Sequence, residues 1–232
     1  MGVNTAIVVA GGSGSRMGTQ VPKQYLPLCG RPVICRCLEA FERSEVIDEV
    51  ILVAAEDYVN YCRNDIVRGY GYQKVTQVIP GGRERYDSVY EGLKAAAGAE
   101  YVYIHDAARA GLDEELIGRL FEAVHLYGAV TAAVPVKDTI KAAGADGFAE
   151  ETLDRSRLWS IQTPQCFSYP LIRGAYDAMM QVPHEKITDD TMVAERFGGA
   201  RVRLVPGSGR NQKITTAEDL IMMEAFLQHP AR

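Results

Sequence analysis

The sequence predicts an α/β domain, a mostly parallel sheet covered by helices on both faces, and three observations carry that expectation. Short apolar, β-branched runs alternate with segments of helical periodicity, as repeated β-α units do. A glycine-rich loop follows the first of those runs directly. At 232 residues the chain has the length of one such domain, 1–232, and can bury a sizeable core.

Thr5 to Ala10 is the first strand, and glycines at 11, 12, 14 and 18 follow it. Without Cβ atoms the backbone there can turn sharply and come close to a ligand, and its N–H groups can form an anion-binding concavity. Arg16 and Lys23 lie in the same loop, with Pro22 stiffening the approach to Lys23. The dinucleotide fingerprint fails because its third glycine falls on Met17, and the Gly-Lys-Ser/Thr of a P-loop is missing. An ordinary strand-to-helix turn explains any one of these features but not their combination. The loop reads as a polyphosphate site.

The other elements follow in order. Val33, Ile34, Cys37, Leu38 and Phe41 share a helical face behind Pro32. Glu49 to Ala54 is a strand, Tyr58 to Val67 a helix, and Lys74 to Ile79 a strand that ends at Pro80-Gly81-Gly82. Asp87 to Ala97 is helical, Tyr101 to His105 a strand, and Asp113 caps a helix reaching Tyr127. Ala129 to Val134 makes a fifth strand. Ligands of such sheets bind beyond the carboxyl ends of the strands, where the glycine loop, Gly81-Gly82 and Asp106 all fall.

At Asp138 the alternation breaks. Gly144-Ala145-Asp146-Gly147 separates two short polar runs, a β-hairpin signal within 137–157. A polar hairpin is marginal alone, and a second copy of the chain is the simplest surface for it to pack on. The bland alternative is a long loop. Helices at Tyr169 to Met180, Asp189 to Phe197 and Ala217 to Leu227, a strand at Arg201 to Val205 and an extended Asn211 to Thr215 complete the chain.

Composition narrows the function. A formal net charge of −5 argues against a general nucleic-acid or anionic-membrane surface. Five cysteines without a C-x-x-C pair argue against a disulfide framework and a zinc site, and for a reducing compartment. With no membrane-length apolar run and no signal-peptide pattern, the expected location is cytoplasmic. Asp106 suits Mg²⁺, which prefers one or two carboxylates plus substrate phosphates. Asp87 or Ser88 could simply cap a helix, and so could Asp106. His105 has no Ser, Cys or Asp spacing for a triad and reads as a packed residue.

Taken together, AGGSGSRMG, PKQYL, GGRERYDSV, HDAAR, PVKDTIK, LDRSRLW, QTPQ, ITDD and NQKIT resemble, in order, the 2-C-methyl-D-erythritol 4-phosphate cytidylyltransferases of isoprenoid biosynthesis. The resemblance covers essentially the whole chain. It implies a Rossmann-like nucleotidyltransferase fold whose hairpin arm exchanges across a homodimer, and transfer of CMP from CTP to the sugar-alcohol phosphate with Mg²⁺. Arg16 and Lys23 would then stabilise the reacting phosphates, and Arg155 and Lys213 would position the acceptor. Ala10, Gly11, Gly12, Gly14, Gly81, Gly82, Ser88, Asp106 and Ala107 would bind the nucleotide, with Asp106 also at the metal. Arg109, Thr139, Thr163 and Thr188 would line the acceptor. Ala110 stands where the family usually has proline. Ala10-Gly11-Gly12 also occurs in the related ribitol-5-phosphate cytidylyltransferases, which makes ribitol 5-phosphate the alternative acceptor, whereas DTIK and LDRSRLW favour methylerythritol phosphate. A nicotinamide oxidoreductase is disfavoured by the failed fingerprint. A non-catalytic nucleotide sensor could lose Lys23 or Lys213, and both are present.

Overall fold

The structure, a computed structural model, describes residues 2–12, 21–183 and 187–229. Its main sheet has seven strands: β1 (Val3–Ala10), β4 (Glu49–Ala54), β5 (Val75–Pro80), β6 (Ala99–Asp106), β7 (Ala129–Pro135), β10 (Trp159–Ser168) and β11 (Arg203–Pro206). The short β2 (Pro27–Leu28) and β3 (Arg31–Pro32) pair with each other, as do β8 (Lys141–Ala143) and β9 (Ala149–Thr152). The strand order is β11-β7-β10-β6-β1-β4-β5. Every neighbour pair is parallel except those of β10, which runs antiparallel to β6 and β7.

Alternation along β1 divides the core between the two faces. Ala6, Val8 and Ala10 pack with α1 (Val33–Arg43) and α4 (Glu114–Tyr127) on one side. Ile7 and Val9 pack with α3 (Arg85–Ala95), α5 (Tyr169–Met179) and α6 (Asp190–Gly198) on the other. A strand buried on both faces reads as a continuous apolar run, which is why Thr5 to Ala10 is recognisable in the sequence. The last helix of the chain, α7 (Ala217–Gln228), closes a smaller cluster of Leu28, Val33, Ala110, Ile214 and Met223. Ala110 is packed there at 3% exposure.

The expected helix from Tyr58 to Val67 is not one regular helix. It starts as a 3₁₀ turn (Glu56–Tyr58), passes through α2 (Val59–Tyr61) and widens into a π-helix (Cys62–Arg68). Its buried residues are Cys62, Ile66 and Val67, spaced by four and five, and the wider π turn keeps such a set on one side. Asn211 to Thr215 adds no strand; a bond from Ile214 N to Ala108 O holds it to the loop after β6. The hairpin forms as expected, with Gly147 in the left-handed region (φ 84°) where a Cβ would strain the turn. Its β9 is exposed throughout, and Phe148 at its tip is 75% exposed.

Register aligns the strand ends that build the site. Val9 lies opposite Asp106, Ala10 opposite Ala54, and Ala54 opposite Pro80. The loops after β1, β5 and β6 therefore leave the sheet side by side.

Candidate active site

A cleft of about 410 Å³ opens at those strand ends. Ala10, Gly11, Gly12, Lys23, Gly82, Ser88, Asp106 and Ala107 line it, most of the residues that the resemblance assigns to nucleotide and reacting phosphates, together with Lys213, which it assigns to the acceptor. Gly81 lies just behind, its N–H bonded to Ala54 O at 2.7 Å. Arg16 and Gly14 lie outside the described residues.

Lys23 begins a single 3₁₀ turn (Lys23–Tyr25). The next residue, Gln24, is buried and donates from Nε2 to Ala10 O at 2.6 Å and Gly12 O at 2.9 Å, tying this turn to the end of β1. Tyr25 then stacks on Tyr58 at 4.6 Å between ring centroids and meets Tyr61 edge-on at 5.4 Å. The backbone that carries Lys23 is thus pinned on two sides.

Ser88 is not a helix cap. Glu84 and Asp87 form the capping box of α3, while the Ser88 hydroxyl accepts from Gly82 N and donates to Glu84 O, both at 3.2 Å. A Cβ at Gly81 would lie 2.5 Å from Ser88 Oγ, so this close approach requires glycine.

Asp106 is not a cap either. Its carboxylate accepts from Arg85 Nε at 2.8 Å on Oδ1 and from Lys213 Nζ at 2.7 Å on Oδ2. Burial would raise its pKa, but Arg85, Lys213 and Arg109 outweigh that and hold it well below the usual carboxylate range. Arg85 also grips Asp190 with both terminal nitrogens, at 2.9 and 2.8 Å. Burial alone would lower the Arg85 pKa; the carboxylates of Asp190 and Asp106 raise it well above its ordinary value. The sequence gives no sign of Arg85, because it starts this helix at Asp87, whereas α3 begins at Arg85. A cation at the first position of a helix opposes the macrodipole and needs anionic partners to sit well.

A second cavity of about 130 Å³ adjoins the first and is lined by Arg109, Thr163 and Thr188 together with Gln165 and Asp189. Arg85, Asp106 and Lys213 line both cavities and form a shared wall. Arg109 is fixed by Nη1 to Asn211 O at 3.0 Å, and Asn211 Nδ2 donates to Thr163 O at 2.7 Å. Arg155 and Thr139 line neither cavity of their own chain. Both are exposed, and Arg155 Nη1 donates to Lys137 O at the base of the hairpin.

Among the described residues no three His, Cys, Asp or Glu side chains converge as a ready-made metal cluster. Asp106 offers one carboxylate at the cleft, with each oxygen already accepting from Arg85 or Lys213, so an ion there would share an oxygen with one of them and draw most of its ligands from substrate phosphates, as Mg²⁺ does.

His105 is fully buried, with Nδ1 3.0 Å from Thr163 Oγ1, Nε2 3.2 Å from Arg109 O, and its ring edge-on to Phe41. Burial lowers its pKa from 6.5 to about 4. Between those values the unfolded chain binds the proton and the folded chain does not, so stability is full above pH 6.5 and is lost as pH falls toward 4. The expected loss is about 3 kcal/mol, at roughly 1.4 kcal/mol per pH unit. Asp106 acts in a separate window below 3.8, because its folded pKa is depressed. Urea unfolding of wild type and His105→Gln at pH 7 and 4.5 checks this; equal pH dependence in the two would refute it.

Residues 4–229 match the family model described as 2-C-methyl-D-erythritol 4-phosphate cytidylyltransferase. The chain belongs to this family. The 2-C-methyl-D-erythritol 4-phosphate cytidylyltransferase of Lachnospira eligens is 49% identical over 227 residues, which cover 97% of this chain and all of that protein. Its namesake from Clostridium novyi is 42% identical over 229 residues, covering 99% and 98%. The crystal structure of 4-diphosphocytidyl-2C-methyl-D-erythritol synthase from Anaerococcus prevotii superimposes with a TM-score of 0.86 at 34% identity, covering 98% of this chain and 97% of that one. The sheet and its helices are therefore the α/β nucleotidyltransferase fold of these cytidylyltransferases. Among the described residues no helix is long and apolar enough to cross a membrane.

Proposed function

We propose that this chain transfers CMP from CTP to 2-C-methyl-D-erythritol 4-phosphate and releases pyrophosphate. The observation that carries this reading is the pair of adjoining cavities. One is lined by Gly11, Gly12 and Gly82 with Lys23, the other by Arg109, Thr163 and Thr188, and Arg85, Asp106 and Lys213 stand between them. Two phosphorylated substrates can meet at that wall.

In the reaction an oxygen of the acceptor's phosphate monoester attacks the α-phosphorus of CTP. A new P–O bond forms, the bond to the β-phosphate breaks, and pyrophosphate leaves with the electron pair. The monoester is already largely dianionic near neutral pH, since its second pKa is about 6, so no side-chain base is needed. His105 could not serve as one, being buried with both ring nitrogens engaged. The protein's task is to orient two polyanions and offset the charge that builds on equatorial and leaving oxygens. Lys23, with Arg16 from the same loop, is assigned to the reacting phosphates, and Lys213 to the acceptor. Mg²⁺ bound with the nucleotide would be held in part by Asp106 and would supply further positive charge for the phosphates.

The same reading makes the enzyme a cytoplasmic homodimer of single nucleotidyltransferase domains, with arm 137–157 reaching the partner. The exposed apolar tip of that arm supports it.

Pyrophosphate release with CTP and Mg²⁺, in parallel reactions with methylerythritol phosphate, ribitol 5-phosphate and no acceptor, tests the assignment. Turnover should follow the first; faster turnover with ribitol 5-phosphate would transfer the assignment to that acceptor. The base should matter as well. Gly82 and Ser88 place a backbone and a hydroxyl group at the cleft wall, and a base that does not match them leaves polar groups unpaired. CTP should exceed ATP and GTP in kcat/KM by at least about tenfold. Comparable values for ATP would remove Ser88 and the Gly81-Gly82 backbone from base selection.

A further inference from the structure

We propose that Arg85 is a positioning residue that sets Lys213 through Asp106, using the buried Asp190 as its anchor. The inference rests on the functional reading above and adds a residue to it.

The anchor is fixed from several directions. Asp190 has zero exposure; Tyr176 OH donates to its Oδ1 at 2.6 Å, and its backbone N–H donates to Gln165 Oε1 at 2.9 Å. Tyr176 is itself fully buried among the side chains of α3, α5 and β6. Arg85 spends both terminal nitrogens on this carboxylate in a planar fork, which leaves Nε to hold Asp106 Oδ1. Asp106 then presents Oδ2 to Lys213. The relay is Asp190, Arg85, Asp106, Lys213.

Lys213 needs such a relay. Its ammonium is a point charge on a flexible four-carbon stem, without the preorganised fork of an arginine. The side chain is 37% exposed, and its place at the wall is set by the bond to Asp106. Charge supports the same assignment. Arg85 is shared between Asp190 and Asp106, so its charge serves both carboxylates. Without Arg85 the Asp106 carboxylate would lose its second partner and pull Lys213 into a tighter pair, less available to an incoming phosphate. A lysine at 85 would keep the charge but could not grip both carboxylates in these directions.

A double-mutant cycle on the full-length protein tests the relay, with kcat and the acceptor KM read separately. Arg85→Gln should lower kcat/KM for the acceptor by about 10–100-fold, the range found when groups orienting a site residue are removed, and should change the KM for CTP much less. Arg85→Lys should recover only part of this. In a Lys213→Gln background the same Arg85→Gln change should cost less than about threefold, because the residue it sets is already gone. Equal fold-losses in both backgrounds would overturn the proposal and leave Arg85 a structural ion-pair partner. Thermal melting is read alongside. If Arg85→Gln does not fold because Asp190 is stranded as a buried charge, both arms are run with Asp190→Asn, and the same comparison decides. A wild type inactive with either acceptor would instead refute the functional reading, and this inference with it.

Discussion

Lys23→Ala should lower kcat by roughly 10²–10³-fold, the scale at which removal of one preorganised charge-stabilising donor is felt. The effect should fall on kcat much more than on the KM for CTP. Ground-state CTP already carries its charges and can find other contacts in a cleft that Lys213, Arg83 and Arg85 also line. What Lys23 supplies is a cation that is in place before charge shifts onto the equatorial oxygens and the leaving pyrophosphate. The structure gives a reason for that preorganisation. Gln24 ties the turn to Ala10 and Gly12, and Tyr25 is clamped by Tyr58 and Tyr61, so the Lys23 backbone has little freedom to follow the substrate. Steady-state kinetics over a range of CTP concentrations checks it. A variant with unchanged kcat and a raised KM would place Lys23 in uniform ground-state binding.

How far the sequence could be read depended on whether the signal was local. Strands buried on both faces declare themselves as apolar runs, and β1, β4 and β7 were legible for that reason. So was the hairpin, whose glycine turn and polar flanks are contiguous. The π-helix at Cys62–Arg68 was not, because a spacing of four and five over seven residues looks like a slightly irregular α-helix. The site divides in the same way. The glycine loop and its cations lie within twenty residues and could be read as a polyphosphate site from the residues themselves. The second cavity joins side chains from positions as distant as Arg109, Thr163 and Thr188, and only resemblance to a family could group them. The partners of Asp106 lie 21 and 107 positions away in the chain. A lone carboxylate at a strand end therefore read as a metal ligand or a cap, and its two cations emerged only from the fold.

Mixing two inactive variants should restore about a quarter of wild-type activity if the arm completes the partner's site, and this is the sharpest test of the hairpin's role. The variants are Lys23→Ala, within the cleft, and Arg155→Ala, at the base of the arm. Arg155 sits in a short 3₁₀ turn (Arg155–Arg157), exposed, and lines neither cavity of its own chain. Thr139 is likewise exposed, on the other flank of the hairpin. If these two residues act on the acceptor, they do so in a site that the single chain does not complete. Each homodimer should be nearly inactive, Lys23→Ala for want of charge stabilisation and Arg155→Ala for want of acceptor positioning. In a mixed dimer with exchanged arms, one site collects both lesions and the other collects neither. Random reassortment of equal amounts makes about half the dimers mixed, each with one intact site of two, which gives the quarter. If each site were built within one chain, every site would keep one lesion and no activity would return. Co-expression of differently tagged chains, followed by tandem purification of the mixed dimer, guarantees exchange. That sample should reach about half of wild-type specific activity, and failure to do so would rule out a site completed by the partner's arm.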